Sequence, residues 1–320
     1  MVNGPDSLLG QDANRASHVV ALDLLARVRA ARVRLGDPND NDALHDFRVS
    51  VRRLRSWLDV QAVLLGRSAP RRAHRWLRRL AKATNPSRDD EVFADWLTAD
   101  RAQLAVRNRG AADWLVKRIT RHRKRAVAAL LEEIDLDLDR ACDLLAERLP
   151  RYDVPHDVER GSLSVPFATE MSALVRAQAS ALRRRLGAVH APADVDAIHR
   201  ARIVGKRLRY LLEPVQDLVA EGAECVAELK TLQDLLGEHH DAHVWLGTVR
   251  AALPRVPRVA LRAGLVSIAT HIERRAAERY TTLAGTWLVE APPLFARLER
   301  VADALSGPVA PRAWPPSADG

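Results

Sequence analysis

Residues 44–55 read LHDFRVSVRRLR, and residues 198–209 read IHRARIVGKRLR. In each copy the second residue is His, and an Arg follows three residues later. Four residues after that Arg comes another base, which is followed directly by a base, a Leu and an Arg. The copies align without a gap, and the second begins 154 residues after the first. A match of this length at a fixed offset indicates an internal duplication. We therefore expect two parts of the chain to fold alike.

Both copies have the periodicity of an amphipathic α-helix. At about 100° per residue, the bases gather on one stripe roughly 15 Å long. These basic stripes consist of His45, Arg48, Arg52 and Arg55 in the first copy and His199, Arg202, Lys206 and Arg209 in the second. Beside them run apolar stripes that can pack on the protein: Phe47, Val51, Leu54 and Leu58, and Ala201, Gly205, Leu208 and Leu212. Arg53 and Arg207 project further round and widen each cationic face.

The rest of the chain also has helical periodicity, with apolar residues recurring at spacings of three and four from Ala16 to Leu305. Gly and Pro breaks divide it into about ten to twelve predicted helices. An aromatic content of 4% and 17 Pro argue against a β-sandwich or barrel. We therefore predict an all-α protein. Six tryptophans in helical contexts are expected to pack in the core rather than to stack on bases: Trp57, Trp76, Trp96, Trp114, Trp245 and Trp287.

The repeat also suggests how the chain is divided. Leu77-Arg78-Arg79-Leu80 matches Leu229-Lys230-Thr231-Leu232, and Asp89 matches Asp241, at an offset of 152. The predicted division is an N-terminal helical half over residues 1–150, a C-terminal half over 151–305 and a disordered tail over 306–320. The stretch 150–166, with three Pro and one Gly, is the predicted linker between the halves.

The positive charge is concentrated in one part of the sequence. The formal net charge is +9, and residues 43–82 contain eleven bases against two acids. Such a local excess recruits polyanions. Of the 50 bases, 45 are Arg, whose planar guanidinium can hold an oxyanion in two places. GC-rich coding explains the excess of Arg over Lys equally well, so the positions of the bases are the stronger argument.

Like charges one helical turn apart repel each other, and almost no acid intervenes within either stripe. One interpretation is a solvated surface stripe, which is common for basic helices. A solvated face usually mixes signs, however, and does not need the same spacing twice. We favour the interpretation that an extended anion supplies the missing counter-charge.

Segments 44–57 and 198–213 resemble the signature of the CHAD family, the conserved histidine α-helical domain. The second is similar to the pattern HxxRxxxKRLRYxxE, through His199, Arg202, Lys206, Arg207, Leu208, Arg209, Tyr210 and Glu213. Residues 229–237, LKTLQDLLG, followed by Asp241, are similar to the LKxLQxxLGxxxD segment of that family. The likeness covers about residues 15–305. It implies two pseudo-symmetric antiparallel helical bundles with a basic surface or cavity between them, and binding of inorganic polyphosphate.

Carried over residue by residue, the resemblance implies twelve phosphate contacts. They are His45, Arg48, Arg52, Arg53, Arg55 and Arg78 in the first half and His199, Arg202, Lys206, Arg207, Arg209 and Lys230 in the second. The two histidines would donate more strongly once a nearby phosphate protonates them. Alternatively, each histidine is neutral and forms a hydrogen bond within the bundle.

No metal, cofactor or catalytic activity is expected. His239 and His243 are spaced to share one ion on a helix. Yet Gly237 suggests a helix stop, after which Asp241 would cap the next helix as a structural acid. A pair such as His45-Asp46 also occurs in metal-dependent phosphohydrolases, but Arg surrounds it here. The chain lacks a recognisable nucleophile and base pair or a Gly-rich phosphate loop.

Two other functions remain open: binding of nucleic acid, and a helical scaffold whose basic face docks an acidic protein partner. No established DNA- or RNA-reading motif occurs, and no aromatic residues interleave the basic stripes. The basic run from Lys117 to Arg125 is expected to be a solvated face, or else an extension of the anion path. Without a long apolar span or a signal peptide pattern, we expect a cytoplasmic protein, not membrane-bound, that associates with polyphosphate granules.

Overall fold

The computed structural model describes residues 6–37, 40, 42–151, 165–256, 258–289 and 292–306. Over these residues the chain forms twelve α-helices and no β-strand, so the predicted all-α class and helix number are confirmed. The helices are α1 (Asp6–Gly10), α2 (Ala13–Arg34), α3 (Ala43–Val60), α4 (Ala62–Leu65), α5 (Arg71–Ala83), α6 (Asn85–Ala99), α7 (Val106–Arg148), α8 (Phe167–Leu186), α9 (Val195–Leu212), α10 (Gly222–Ala252), α11 (Val259–Trp287) and α12 (Pro293–Ser306). Most of the predicted linker, 152–164, and the tail after 306 lie outside the described residues.

Helices α3 and α9 form because each has one continuous apolar stripe to bury. In α3, the stripe residues Phe47, Val51, Leu54 and Leu58 are at most 1% exposed. The corresponding residues of α9 are all buried as well: Ala201, Gly205, Leu208 and Leu212. This burial confirms the packing stripes predicted from the sequence, and it turns the basic stripes of both helices away from the core.

The helices recur in the same order in the two halves. Helix α3 begins at Ala43 and α9 at Val195, 152 residues later. Helix α10 is continuous, whereas the corresponding residues 70–100 form α5 and α6 with Thr84 between them. The break follows from Pro86, which fits the first turn of a helix but not its interior. This order agrees with a duplication, which itself stays a prediction.

Two hydrophobic cores hold the helices together, and each draws on residues before and after position 150. The larger core includes residues from Leu9 to Leu305 and joins α2, α3 and α5 to α8, α9 and α12. The smaller core joins α6 and the first part of α7 to α10 and α11, around Phe93 and Trp245. Packing therefore unites the two sequence halves. Their boundary near 150 stays a prediction.

The tryptophans take part in this packing. Trp57, Trp245 and Trp287 are buried, as expected. Trp245 stacks on Phe93 with ring centroids 5.1 Å apart, and on Trp96 at 4.8 Å. Trp96, like Trp76 and Trp114, is partly buried against a core. The stack joins α6 to α10.

Candidate anion-binding site

Helices α3 and α9 pack against each other, so their two basic stripes lie close together. Arg52 on α3 is within electrostatic reach of Arg202 and Lys206 on α9. Arg55 on α3 is likewise within reach of Arg207 on α9. Six bases of the two helices thus form one group, which we call the basic cluster: Arg48, Arg52, Arg55, Arg202, Lys206 and Arg207.

Most of the basic cluster is withdrawn from solvent. Arg48 is only 8% exposed, and four further members are partly buried, namely Arg52, Arg55, Arg202 and Lys206. Burial lowers the pKa of Arg48 to about 10. Burial, reinforced by Arg202 and Arg52, lowers the pKa of Lys206 to about 6. The fold therefore holds these cations in a place that disfavours their charge.

Several members of the basic cluster lack a direct ion pair among the residues that the structure describes, namely Arg52, Arg55, Arg202 and Lys206. The Nε of Arg202 is buried and has no hydrogen-bond partner in this part of the chain. A buried charged donor without a partner costs about 1–3 kcal/mol or more. An anion with several acceptor oxygens would recover this cost.

Two of the predicted contact residues, Arg53 and Arg209, already have an acidic partner. The Nε of Arg53 donates to a carboxylate oxygen of Glu213 at 2.6 Å. Arg209 lies 3.2 Å from the other oxygen of the same carboxylate. Both guanidiniums also face the ring of Tyr210, at 5.9 Å and 4.8 Å from its centroid. These contacts tie α3 to α9 and so hold the basic stripes side by side.

The two predicted histidines lie at the N-terminal ends of the stripes. His45 is exposed, while His199 is partly buried with its ring centroid 5.0 Å from that of His240. Burial, followed by the charge of Arg88, lowers the pKa of His45, and burial followed by Arg202 lowers that of His199. Burial also lowers the pKa of His240 to about 4. The positive charge of the free site at neutral pH therefore comes from guanidiniums.

Arg88 and His240 belong to the site although the sequence analysis did not single them out. They occupy matching positions, 152 residues apart, directly before Asp89 and Asp241. Arg88 acts electrostatically on His45 and Arg48, and His240 contacts His199. Their positions directly before the matched acids could have identified them as site residues in the sequence. The match is hard to recognise because one copy has Arg and the other has His.

Gly237 does not end a helix, so that prediction was wrong. It lies buried in the middle of α10, and Asp241 is one turn further along the same helix rather than at a helix start. A Cβ on Gly237 would lie 3.7 Å from the Nε of Arg202. The Arg202 guanidinium therefore lies against α10 at Gly237, at a distance where an added methyl group would make an ordinary van der Waals contact.

The outer members of the predicted site are exposed. Arg78 on α5 lies within electrostatic reach of Arg55 in the basic cluster. Lys230 on α10 has no hydrogen bond, ion pair or ring contact with any residue that the structure describes. The structure thus brings Arg78 to the cluster and gives no such contact for Lys230.

The basic run on α7 is in part neutralised by acids of α6. His122 contacts Asp90 at 2.6 Å, and Arg123 pairs with Glu91. The side chains of Lys124 and Arg125 lie outside the described residues. The contacts described here attach α7 to α6, and Glu91 is also within electrostatic reach of Arg48 in the basic cluster.

The structure also bears on metal binding and on membranes. His239 is buried while His243 is exposed. Across the described ranges, no three His, Cys, Asp or Glu side chains are grouped so as to hold a metal ion. In the same part of the chain, no helix combines the length and the apolar content needed to cross a bilayer.

Comparisons with known proteins agree with this architecture. The model of the CHAD domain family matches residues 20–250. The crystal structure of the CHAD domain from the plant Ricinus communis is similar, with a TM-score of 0.68 and 20% identity over 91% of this chain and 92% of that one. PptA from Streptomyces chartreusis is also similar, with a TM-score of 0.63 and 18% identity over 88% of this chain and 99% of that one. No curated protein matches the sequence. The structural likenesses establish the fold, and the family match over most of the chain establishes that this protein belongs to the CHAD domain family.

Proposed function

We propose that this protein binds inorganic polyphosphate, without catalysis, in the basic cluster between α3 and α9. The observation that carries the proposal is the convergence of two basic stripes, several of whose bases form no direct ion pair among the described residues. A partly buried group of this kind favours an anion with many acceptor oxygens, because each oxygen satisfies a donor that would otherwise be unpaired.

Polyphosphate suits the shape of the cluster as well as its charge. Bases follow each other at about every helical turn along both helices, so a linear anion can contact them in succession. Guanidiniums hold non-bridging phosphate oxygens in a bidentate way. A flexible phosphate chain needs no base stacking, and Trp96 and Trp245 stack on each other in the smaller core. These features favour polyphosphate over nucleic acid.

Titration of the full chain with polyphosphates of graded length tests the proposal. We expect affinity to rise with chain length until the ligand spans the cluster, and the logarithm of the binding constant to fall linearly with the logarithm of salt concentration. Long-chain polyphosphate should also displace single-stranded RNA and duplex DNA at moderate salt. Failure of that displacement would contradict the proposal and favour nucleic acid. Association with polyphosphate granules in cells is part of the same proposal.

Binding should take up protons. Lys206 has a pKa of about 6 in the free protein, so it is largely neutral at pH 7 and must gain a proton to pair with phosphate. Lowering the pH towards 6 should therefore strengthen polyphosphate binding, by up to about tenfold per pH unit if one proton is taken up. Calorimetry at pH 7.5 in buffers of different ionisation enthalpy measures the uptake directly.

Substitution identifies the source of the proton uptake. Lys206→Arg carries a permanent charge, so it should reduce the uptake by up to about one proton and bind polyphosphate at least as tightly as the wild type at pH 7.5. Lys82→Arg, at an exposed position at the end of α5, is the matched control and should leave the uptake unchanged. Equal proton uptake by both variants would mean that the histidines rather than Lys206 are responsible.

A further inference from the structure

Two carboxylates lie among the cations of the basic cluster. Asp89 on α6 is within electrostatic reach of Arg48, Arg202 and Arg52. Asp241, at the matching position on α10, is within reach of Arg202 and also of Asp89 itself. Both acids are partly buried. They therefore approach the cluster from two further helices, α6 and α10.

Within the described residues, Asp89 and Asp241 form no direct ion pair, although several bases lie near them. The residue after Asp89 behaves differently, because Asp90 contacts His122 on α7. Burial raises the pKa of Asp89 and Asp241, and the nearby arginines only partly offset this effect. The fold thus keeps both carboxylates near the cations but out of contact with them.

This placement has two opposite electrostatic effects. In the free protein, a carboxylate among partly buried cations reduces their mutual repulsion without occupying guanidinium donors. When a phosphate chain arrives, the same carboxylate repels it. A ligand must therefore bring enough charge to outweigh both acids. A single phosphate brings at most two negative charges near neutral pH, whereas a polyphosphate brings about one for every unit that contacts the site.

We infer that Asp89 and Asp241 are resident counter-ions of the basic cluster, and that they select chains of several phosphates against single phosphates. The inference rests on the proposed function and adds a specificity rule to it. An alternative role for the two acids is to orient the bases of the cluster. Asp241 lies one turn after Gly237, where the Arg202 guanidinium rests, so this alternative has a geometric basis. The two roles predict opposite changes in affinity.

Replacing each carboxylate by its amide separates the two roles. Asp241→Asn and Asp89→Asn keep the side-chain shape and remove one negative charge. We expect each variant to bind tripolyphosphate about tenfold more tightly than the wild type, because a nearby repulsive charge is lost. Orthophosphate, which we expect not to bind the wild type measurably, should become a detectable competitor in the double variant. Asp234→Asn, an exposed position on α10, is the matched control for net charge and should change affinity by less than about twofold.

The outcomes separate this inference from the proposed function. If neither the wild type nor any variant binds polyphosphate, the proposed function fails. If the wild type binds and the Asn variants bind more weakly, or no more tightly than Asp234→Asn, the counter-ion role is overturned. Thermal unfolding without ligand gives an independent readout: the double variant should melt at a lower temperature than the control, and saturating tripolyphosphate should reverse the difference. If Asp241→Asn prevents folding, the affinity of Asp89→Asn, which lies on α6, still tests the inference.

Discussion

Polyphosphate should no longer be retained at physiological salt when Arg52 and Lys206 are both replaced by Glu. Each side chain is within reach of the partner helix, so the substitutions place negative charge at the centre of the basic cluster. Loss of two charge-assisted contacts at about 1.5–3 kcal/mol each corresponds to a loss of affinity of about a hundredfold to ten-thousandfold. Binding to immobilised long-chain polyphosphate, measured against salt, gives the result directly.

The matched control for this variant is Arg72→Glu together with Arg75→Glu. These exposed residues on α5 lie in the same basic segment of the sequence and give the same change in net charge. We expect only a small loss of affinity there, because screened charges at a distance contribute little. Circular dichroism should report full helicity in both variants. Equal losses in the two would mean that net charge, and not the cluster, governs binding.

Trp57→Ala should produce the largest loss of stability. The side chain is 1% exposed, its Nε1 donates to the carbonyl oxygen of Ser17 at 3.0 Å, and its ring lies 6.3 Å from that of Phe167. It therefore joins α3 to both α2 and α8. Truncation of a buried aromatic residue costs about 3–5 kcal/mol, and loss of the hydrogen bond to Ser17 adds to this cost. Urea-induced unfolding followed by circular dichroism measures the change.

Trp76→Ala is the comparison for that measurement. Trp76 packs against the same core but is only partly buried, so its truncation removes less contact area and should cost clearly less free energy of unfolding. Similar losses in the free energy of unfolding for the two variants would show that the position of Trp57 between three helices does not make it more important for stability than Trp76.

Periodicity was sufficient to predict the helical class and the faces of α3 and α9. Each of these helices has one apolar stripe, and only one orientation buries it. The same reasoning failed at Gly237, because a glycine inside a helix can serve either termination or close packing. The sequence around it does not reveal that an Arg side chain from another helix lies against it.

The candidate site was predicted only in part. The repeat located the bases of both stripes, since a duplicated pattern marks corresponding positions. It could not reveal that Glu213 binds Arg53, 160 residues away in the chain, because that contact depends on how α3 and α9 pack. The low pKa of Lys206 was hidden for the same reason, since it arises from burial and from a neighbour on α3.

The shared cores have a consequence for synthesis of the chain. The larger core unites Leu9 with Leu305, so the first helices cannot complete their packing until nearly the whole chain has been translated. At about 5–20 residues per second, the roughly 150 residues between the halves take about 8–30 s to appear. During that interval the apolar faces of α2 and α3 lack their partners, and the nascent chain is open to aggregation and to chaperones. Either half expressed alone would remain in that vulnerable state.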